Sequence, residues 1–213
     1  MLHSETVNSK TLELIIWLQS DPLLKDFLLV GGTALALQIG HRKSVDIDFF
    51  TRREFDNQEI LEHLERNYRF EEQYRRGNTI KGIINGVFVD LLLHDYKLIA
   101  EPLHIQDIRM ASKQDIAAMK VNAITGNGTR VKDFIDIYFL LKEYSFSEII
   151  EFYKAKYNTR NDFHAIKSLT YFDDIIAEEW PVMIIEKDLG LEDLKRTIID
   201  ERDLFLHELK IRS

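Results

Sequence analysis

Cysteine is absent from this chain of 213 residues, so disulfides and thiolate metal centres are excluded outright. That fits a reducing compartment, and a cytoplasmic location is expected. No apolar run approaches the length that crosses a bilayer, so no membrane partner is expected. A targeting signal is also missing: the apolar stretch 12–18 is interrupted by Glu13 and leads to no small-residue cleavage site. Positive charge is in deficit, with 28 Lys and Arg against 36 Asp and Glu for a net charge of −8. This argues against broad nonspecific nucleic-acid binding and leaves room for a local basic groove. There is no internal repeat and no low-complexity segment. The remaining composition is that of a globular chain long enough to bury its own core, as one large domain or two small lobes.

The pattern along the chain changes near residue 110. Before it, apolar residues at helical spacing in 8–20 precede a short apolar run at 27–30, which two glycines stop. Residues 33–39 are rich in Ala and Leu and read as a helix ending at Gly40. Residues 45–50 read as a strand and 57–66 as a helix. Three strand-like runs follow at 70–75, 79–84 and 87–93. The last two are joined by Asn85-Gly86, a strong hairpin-turn signal. After residue 110 every pattern is helical: 112–124, 129–143, 147–156, 162–168 and 191–209, with 182–185 as a stray extended segment. The expected class is α+β, a partly antiparallel mixed sheet with helices (1–110) followed by an all-helical lobe (111–213).

Chemistry concentrates in three carboxylates. Asp46 and Asp48 lie in Ser44-Val45-Asp46-Ile47-Asp48-Phe49-Phe50, and Asp90 in Val87-Phe88-Val89-Asp90-Leu91-Leu92-Leu93. On a strand, residues two apart share a face, so Asp46 and Asp48 project together and a neighbouring strand can bring Asp90 beside them. Crowded carboxylates repel unless a cation sits among them, and oxygen ligands suit a hard divalent ion, Mg2+ above all. Asp90, the one polar residue in an apolar run, reads as buried, where an ionised carboxylate costs several kcal/mol unless paired or metal-bound. Upstream, Gly31-Gly32-Thr33 admits a sharp turn and close approach to a ligand, and the following helix offers free N–H groups for a phosphate. An ordinary strand-to-helix turn with Thr33 as cap explains the same residues. The spacing is neither that of a Walker loop nor that of a Rossmann loop. Arg42 can hold triphosphate oxygens or be surface charge; Ser44 can orient the loop. These features together point to a metal-dependent enzyme acting on a nucleoside triphosphate.

In the second half, Lys120 shares a helical stripe with Ile116, Ala117, Val121 and Ile124, so it either snorkels or meets an anion. Arg130, Lys132, Asp133 and Asp136 cluster in the next helix, where Asp133 and Asp136 flank apolar positions and can bridge to Lys120. Arg75, Arg76 and Lys81 form a basic hairpin beside Tyr74, a weak candidate for a nucleic-acid backbone and more simply a solvated turn.

Gly31 to Leu37, then His41 to Phe50, then a lone strand Asp90 resemble the minimal nucleotidyltransferase fold of the polymerase-β superfamily. Asp115 to Lys120, followed by Arg130 to Tyr138, is similar to the AbiEii/AbiGii toxin family of nucleotidyltransferases; the resemblance spans about 27–143. It implies that Asp46, Asp48 and Asp90 hold divalent metal, two Mg2+ ions in all, with Asp90 also serving the base that activates the attacking hydroxyl. It implies that Gly31, Gly32 and Thr33 touch the phosphates with Arg42, Ser44 and Lys120 nearby, and that Asp133 is a catalytic residue of a helical lobe completing the cleft. The implied reaction transfers a nucleoside monophosphate from a nucleoside triphosphate to RNA such as tRNA, or to protein. The implied setting is the toxin of a bacterial toxin–antitoxin or abortive-infection pair, with a cognate antitoxin. A transferase for a small molecule such as an aminoglycoside, and a catalytically silent binding module, are the alternatives.

Overall fold

The computed structural model describes residues 1–212. The chain divides into two compact units: 1–97 with 101–112, and 98–100 with 113 onward.

The first unit holds a seven-stranded mixed sheet in the order β3-β4-β5-β2-β1-β7-β6. Its strands are β1 (Leu28–Val30), β2 (Ile47–Thr51), β3 (Glu71–Arg75), β4 (Thr79–Ile84), β5 (Val87–Leu93), β6 (Leu103–Ile105) and β7 (Ile108–Met110). Its helices are α1 (Ser9–Ser20), α2 (Gly31–Ile39) and α3 (Asn57–Tyr68). β2 runs parallel to β5 and β1 parallel to β7, while the other neighbouring pairs are antiparallel.

Period-two burial sets the faces of the central strands. Ile47, Phe49, Val89, Leu91, Ile80 and Ile84 turn into the core. Asp48, Phe50, Asp90 and Leu92 alternate with them and stay half-buried. Gly82 belongs to the buried face of β4, where a β-carbon would run into the Phe70 ring and the Glu71 carbonyl. The β4–β5 turn has positive φ at both Asn85 and Gly86, the requirement of a two-residue hairpin turn whose twist matches the strands.

The sheet signals were legible at 79–84 and 87–93, which form strands over those residues. The expected strand at 45–50 starts later, at Ile47, so Asp46 sits just ahead of it. The short hairpin β6–β7 carries no strong alternation, and no reading of the sequence anticipated it.

The second unit is helical: α4 (Lys113–Gly126), α5 (Val131–Leu140), α6 (Phe146–Tyr157), α7 (Phe163–Leu169) and α8 (Leu191–Arg212). α4 packs against α5, α6 and α7, and α8 against α5 and α6. Residues 182–185 form no strand of the sheet. α6 starts with a full capping box, in which Ser145 and Glu148 satisfy each other's backbone N–H groups. Among the described residues no helix is long and apolar enough to cross a membrane.

Candidate active site

β1 ends at Val30, and Gly31 takes φ +67° so that the chain turns directly into α2. In the sheet, Val30 lies opposite Asp48 of β2. The turn is therefore pressed against that carboxylate: a β-carbon on Gly31 would stand 2.5 Å from Asp48 Oδ2. Gly32 is constrained from the other side, because its β-carbon would collide with the Arg42 guanidinium. The two glycines are thus small for different reasons. One admits a left-handed backbone beside a carboxylate, and the other admits a buried arginine.

Asp48 and Asp90 occupy the same register position on parallel neighbours β2 and β5. Strands so paired are about 4.8 Å apart, and in-register side chains share a face. The alignment across the sheet continues to β4, where Lys81 faces Asp90 and forms an ion pair with its Oδ2. One row thus runs Val30, Asp48, Asp90, Lys81. The burial expected for Asp90 is corrected: its side chain is 21% exposed and has an ammonium partner. The apolar run misled because only alternate residues of β5 enter the core. Lys81, read as part of a basic turn, was the missed member of the row. The signal was available, since counting outward from the Asn85-Gly86 turn makes Lys81 and Asp90 the fourth cross-strand pair.

Asp46 is placed by the loop ahead of β2. Its carbonyl accepts a hydrogen bond from the Thr33 hydroxyl, which is also 2.8 Å from Ser44 Oγ. Thr33 is buried, and its hydroxyl fixes this loop. The Ser44 N–H donates to the Thr6 carbonyl at 2.9 Å. Arg42 is buried, and its Nη1 donates to the Lys43 carbonyl at 3.0 Å. The three acids are thus not equivalent. Among the described residues no group of three or more His, Cys, Asp or Glu side chains forms a metal cage.

Mg2+ rarely uses such a cage. It is held by one or two carboxylates, with water and substrate phosphates completing its shell. The in-register Asp48–Asp90 pair, half-buried and next to the N-terminal turn of α2, fits that donor set.

In the helical unit Lys120 is buried, and its Nζ lies 2.6 Å from both Asp133 Oδ1 and Asp136 Oδ2. The choice between snorkelling and meeting an anion is decided for this unit: two carboxylates from α5 receive the ammonium. Arg130 Nε approaches Asp133 Oδ2 at 3.6 Å. Asp115, in the first turn of α4, points inward. It accepts the Ile99 and Ala100 N–H groups at 3.1 and 3.3 Å and pairs with Lys156 Nζ at 2.7 Å.

Comparisons with known proteins bear on the fold and the family of this chain. An uncharacterized protein of Aquifex aeolicus (strain VF5) is 34% identical over 162 residues, covering 73% of this chain and 78% of that protein. The crystal structure of JHP933 from Helicobacter pylori superposes with a TM-score of 0.58 at 18% identity, covering 95% of this chain and 92% of that one. The nucleotidyltransferase toxin MenT4 (Rv2826c) of Mycobacterium tuberculosis H37Rv gives a TM-score of 0.55 at 14% identity, covering 88% and 79%. At those identities the two structures bear on the fold alone. The family described as nucleotidyl transferase AbiEii toxin, type IV TA system, matches residues 16–87 and 83–203. A match over nearly the whole length makes this chain a member of the AbiEii family of toxin nucleotidyltransferases, and its enzyme class a nucleotide-dependent transferase.

Proposed function

We propose that the protein is a Mg2+-dependent nucleotidyltransferase that moves a nucleoside monophosphate from a nucleoside triphosphate to an RNA acceptor such as tRNA, and that it serves as the toxin of a toxin–antitoxin pair in the bacterial cytoplasm. One observation carries this reading: Asp48 and Asp90 stand side by side on β2 and β5, beside the diglycine turn that opens α2. Asp48 and Asp90, with Asp46, would hold the divalent cation, two ions in the full assembly. Bound there, the cation supplies Lewis-acid stabilisation of phosphate charge.

The chain's own groups do the rest. The N–H groups of Gly31, Gly32 and Thr33 at the start of α2 receive the phosphates, helped by the positive end of the helix. Arg42, packed on Gly32, adds fixed positive charge as pyrophosphate departs. Thr33 and Ser44 act through the backbone by holding the Asp46 carbonyl and its loop. Asp90 accepts the proton of the acceptor hydroxyl as its oxygen attacks the α-phosphorus and the bond to the pyrophosphate oxygen breaks. Lys120 and Asp133 of the helical unit are included in the proposal on their place in the sequence motif. Their mutual ion pair makes activity per folded molecule the quantity to measure for both.

The test incubates purified protein with Mg2+, each labelled nucleoside triphosphate and total RNA, beside Asp48→Ala and Asp90→Ala. Label should pass to RNA with the wild type and fall at least 100-fold with either variant, the scale of losing a preorganised charged group. Transfer that survives both substitutions removes the assigned carboxylate roles. Label appearing only on an aminoglycoside or on protein moves the acceptor class and leaves the reaction type standing. Induced expression in a bacterial host should arrest growth, and Asp48→Ala should abolish the arrest.

A further inference from the structure

We infer that Lys81 is the resident counter-ion of Asp90 and gives up that carboxylate when the site takes its divalent cation. The inference rests on the metal reading of Asp48 and Asp90 and adds a residue outside that set. Two like charges at adjacent in-register positions of a sheet destabilise it, and Asp48 and Asp90 are such a pair. The sheet answers from the opposite flank. Lys81, in register with Asp90 on β4, places its ammonium on Asp90 Oδ2. The row therefore carries two negative charges and one positive, with the positive charge at the end away from the diglycine turn.

Exposure makes this pair exchangeable. The Lys81 and Asp90 side chains are 41% and 21% accessible, and an ion pair in that setting contributes at most about 1 kcal/mol. Breaking it leaves Lys81 in solvent and strands no charge. The Lys120 cluster is the contrast within the same chain. Its three side chains are 7%, 2% and 0% accessible, and separating such a pair leaves charge buried without compensation. Geometry thus singles out Lys81 as a removable ammonium and Lys120 as a permanent one. Lys81 acts through Asp90, so it is a positioning residue. It keeps the carboxylates together before a cation arrives and competes with that cation for Asp90.

The test is Mn2+ affinity of the purified protein with a non-hydrolysable nucleoside triphosphate, measured by calorimetry or electron paramagnetic resonance. Lys81→Met should bind Mn2+ about fivefold tighter than the wild type, the factor that corresponds to about 1 kcal/mol. Lys81→Arg, which keeps the charge, should match the wild type. In an Asp90→Asn background, Lys81→Met should change nothing, because the two residues are coupled. Arg76→Met removes a charge from the same hairpin without touching Asp90 and should leave affinity unaltered. Thermal melting gives a second readout: without cation Lys81→Met should melt below the wild type, and saturating Mn2+ should raise its melting temperature by more. Equal or weaker Mn2+ binding by Lys81→Met overturns the inference, as does equal tightening by Arg76→Met. A wild type that binds no Mn2+ with nucleotide present overturns the metal reading itself, a result distinct from either of these.

Discussion

Two adjacent glycines show how much a single β-carbon decides. Gly31→Ala must hold an L-residue at φ +67°, which costs about 1–2 kcal/mol, and it drives a methyl group into the Asp48 carboxylate. Gly32→Ala leaves the backbone unstrained and displaces the Arg42 guanidinium. Gly31→Ala should therefore lower both melting temperature and nucleotidyl transfer. Gly32→Ala should lower transfer more than stability; calorimetry beside a transfer assay separates the two. Asp21 sits in a comparable single-residue position. Burial pushes its carboxyl up, yet hydrogen bonds from His63 Nε2 at 2.6 Å, Tyr68 Oη at 2.7 Å and the Leu23 N–H at 2.9 Å outweigh that and hold it below the usual aspartate range. A depressed folded value means that Asp21 adds its full stability above the unfolded value near 3.9 and loses it as pH falls through the folded one. Melting temperature should thus fall less steeply with acid below pH ~4 for Asp21→Asn than for the wild type. Burial and the neighbouring Asp21 push the Tyr68 hydroxyl up, so its contribution persists through neutral pH and fades only in strong alkali.

At the scale of elements, α4 and α5 are locked by charge as well as by their apolar faces. Lys120 from α4 joins Asp133 and Asp136 from α5 in a buried setting. Lys120→Met leaves two buried carboxylates without their ammonium and should destabilise by about 3–5 kcal/mol. Adding Asp133→Asn and Asp136→Asn should recover much of that loss, which urea unfolding can measure. Because Lys120 and Asp133 are both assigned to the transfer reaction, the recovered triple variant should fold and stay inactive. Strand pairing follows a comparable logic with weaker forces. The hairpin turn at Asn85 and Gly86 fixes the β4–β5 register, and that register chooses Lys81 as the neighbour of Asp90. The turn was visible in the sequence, so this pairing was legible by counting. The β2–β5 pairing was not: parallel strands forty residues apart share no turn from which to count.

On the scale of the whole molecule, the chain passes between its units more than once. Residues 98–100 belong to the helical unit although they precede β6 and β7. Asp115 holds that short segment by accepting two of its backbone N–H groups, and Lys156 neutralises the same carboxylate in the interior. Asp115→Ala should release the segment and take a carboxylate away from the buried Lys156 ammonium, a loss of about 3–5 kcal/mol. Hydrogen exchange at the Ile99 and Ala100 amides should rise in that variant beyond the change in global stability. A single boundary near residue 110 was the natural reading of the composition. The structure adds this short excursion, whose three residues are too few to carry a pattern.

Local rules gave the helices, the hairpin turn, the diglycine bend, the family resemblance and the chemical identity of the carboxylates, because periodicity, turn chemistry and residue type act over a few neighbours. Tertiary structure alone chose which groups stand together. It put Asp48 beside Asp90, turned the Thr33 hydroxyl toward Asp46, and closed Lys120 onto Asp133 and Asp136. Those choices depend on register between distant strands and on which helix faces meet. They are fixed by burying the alternate apolar residues of the sheet and the stripes of the helices, a constraint that no short stretch of sequence contains.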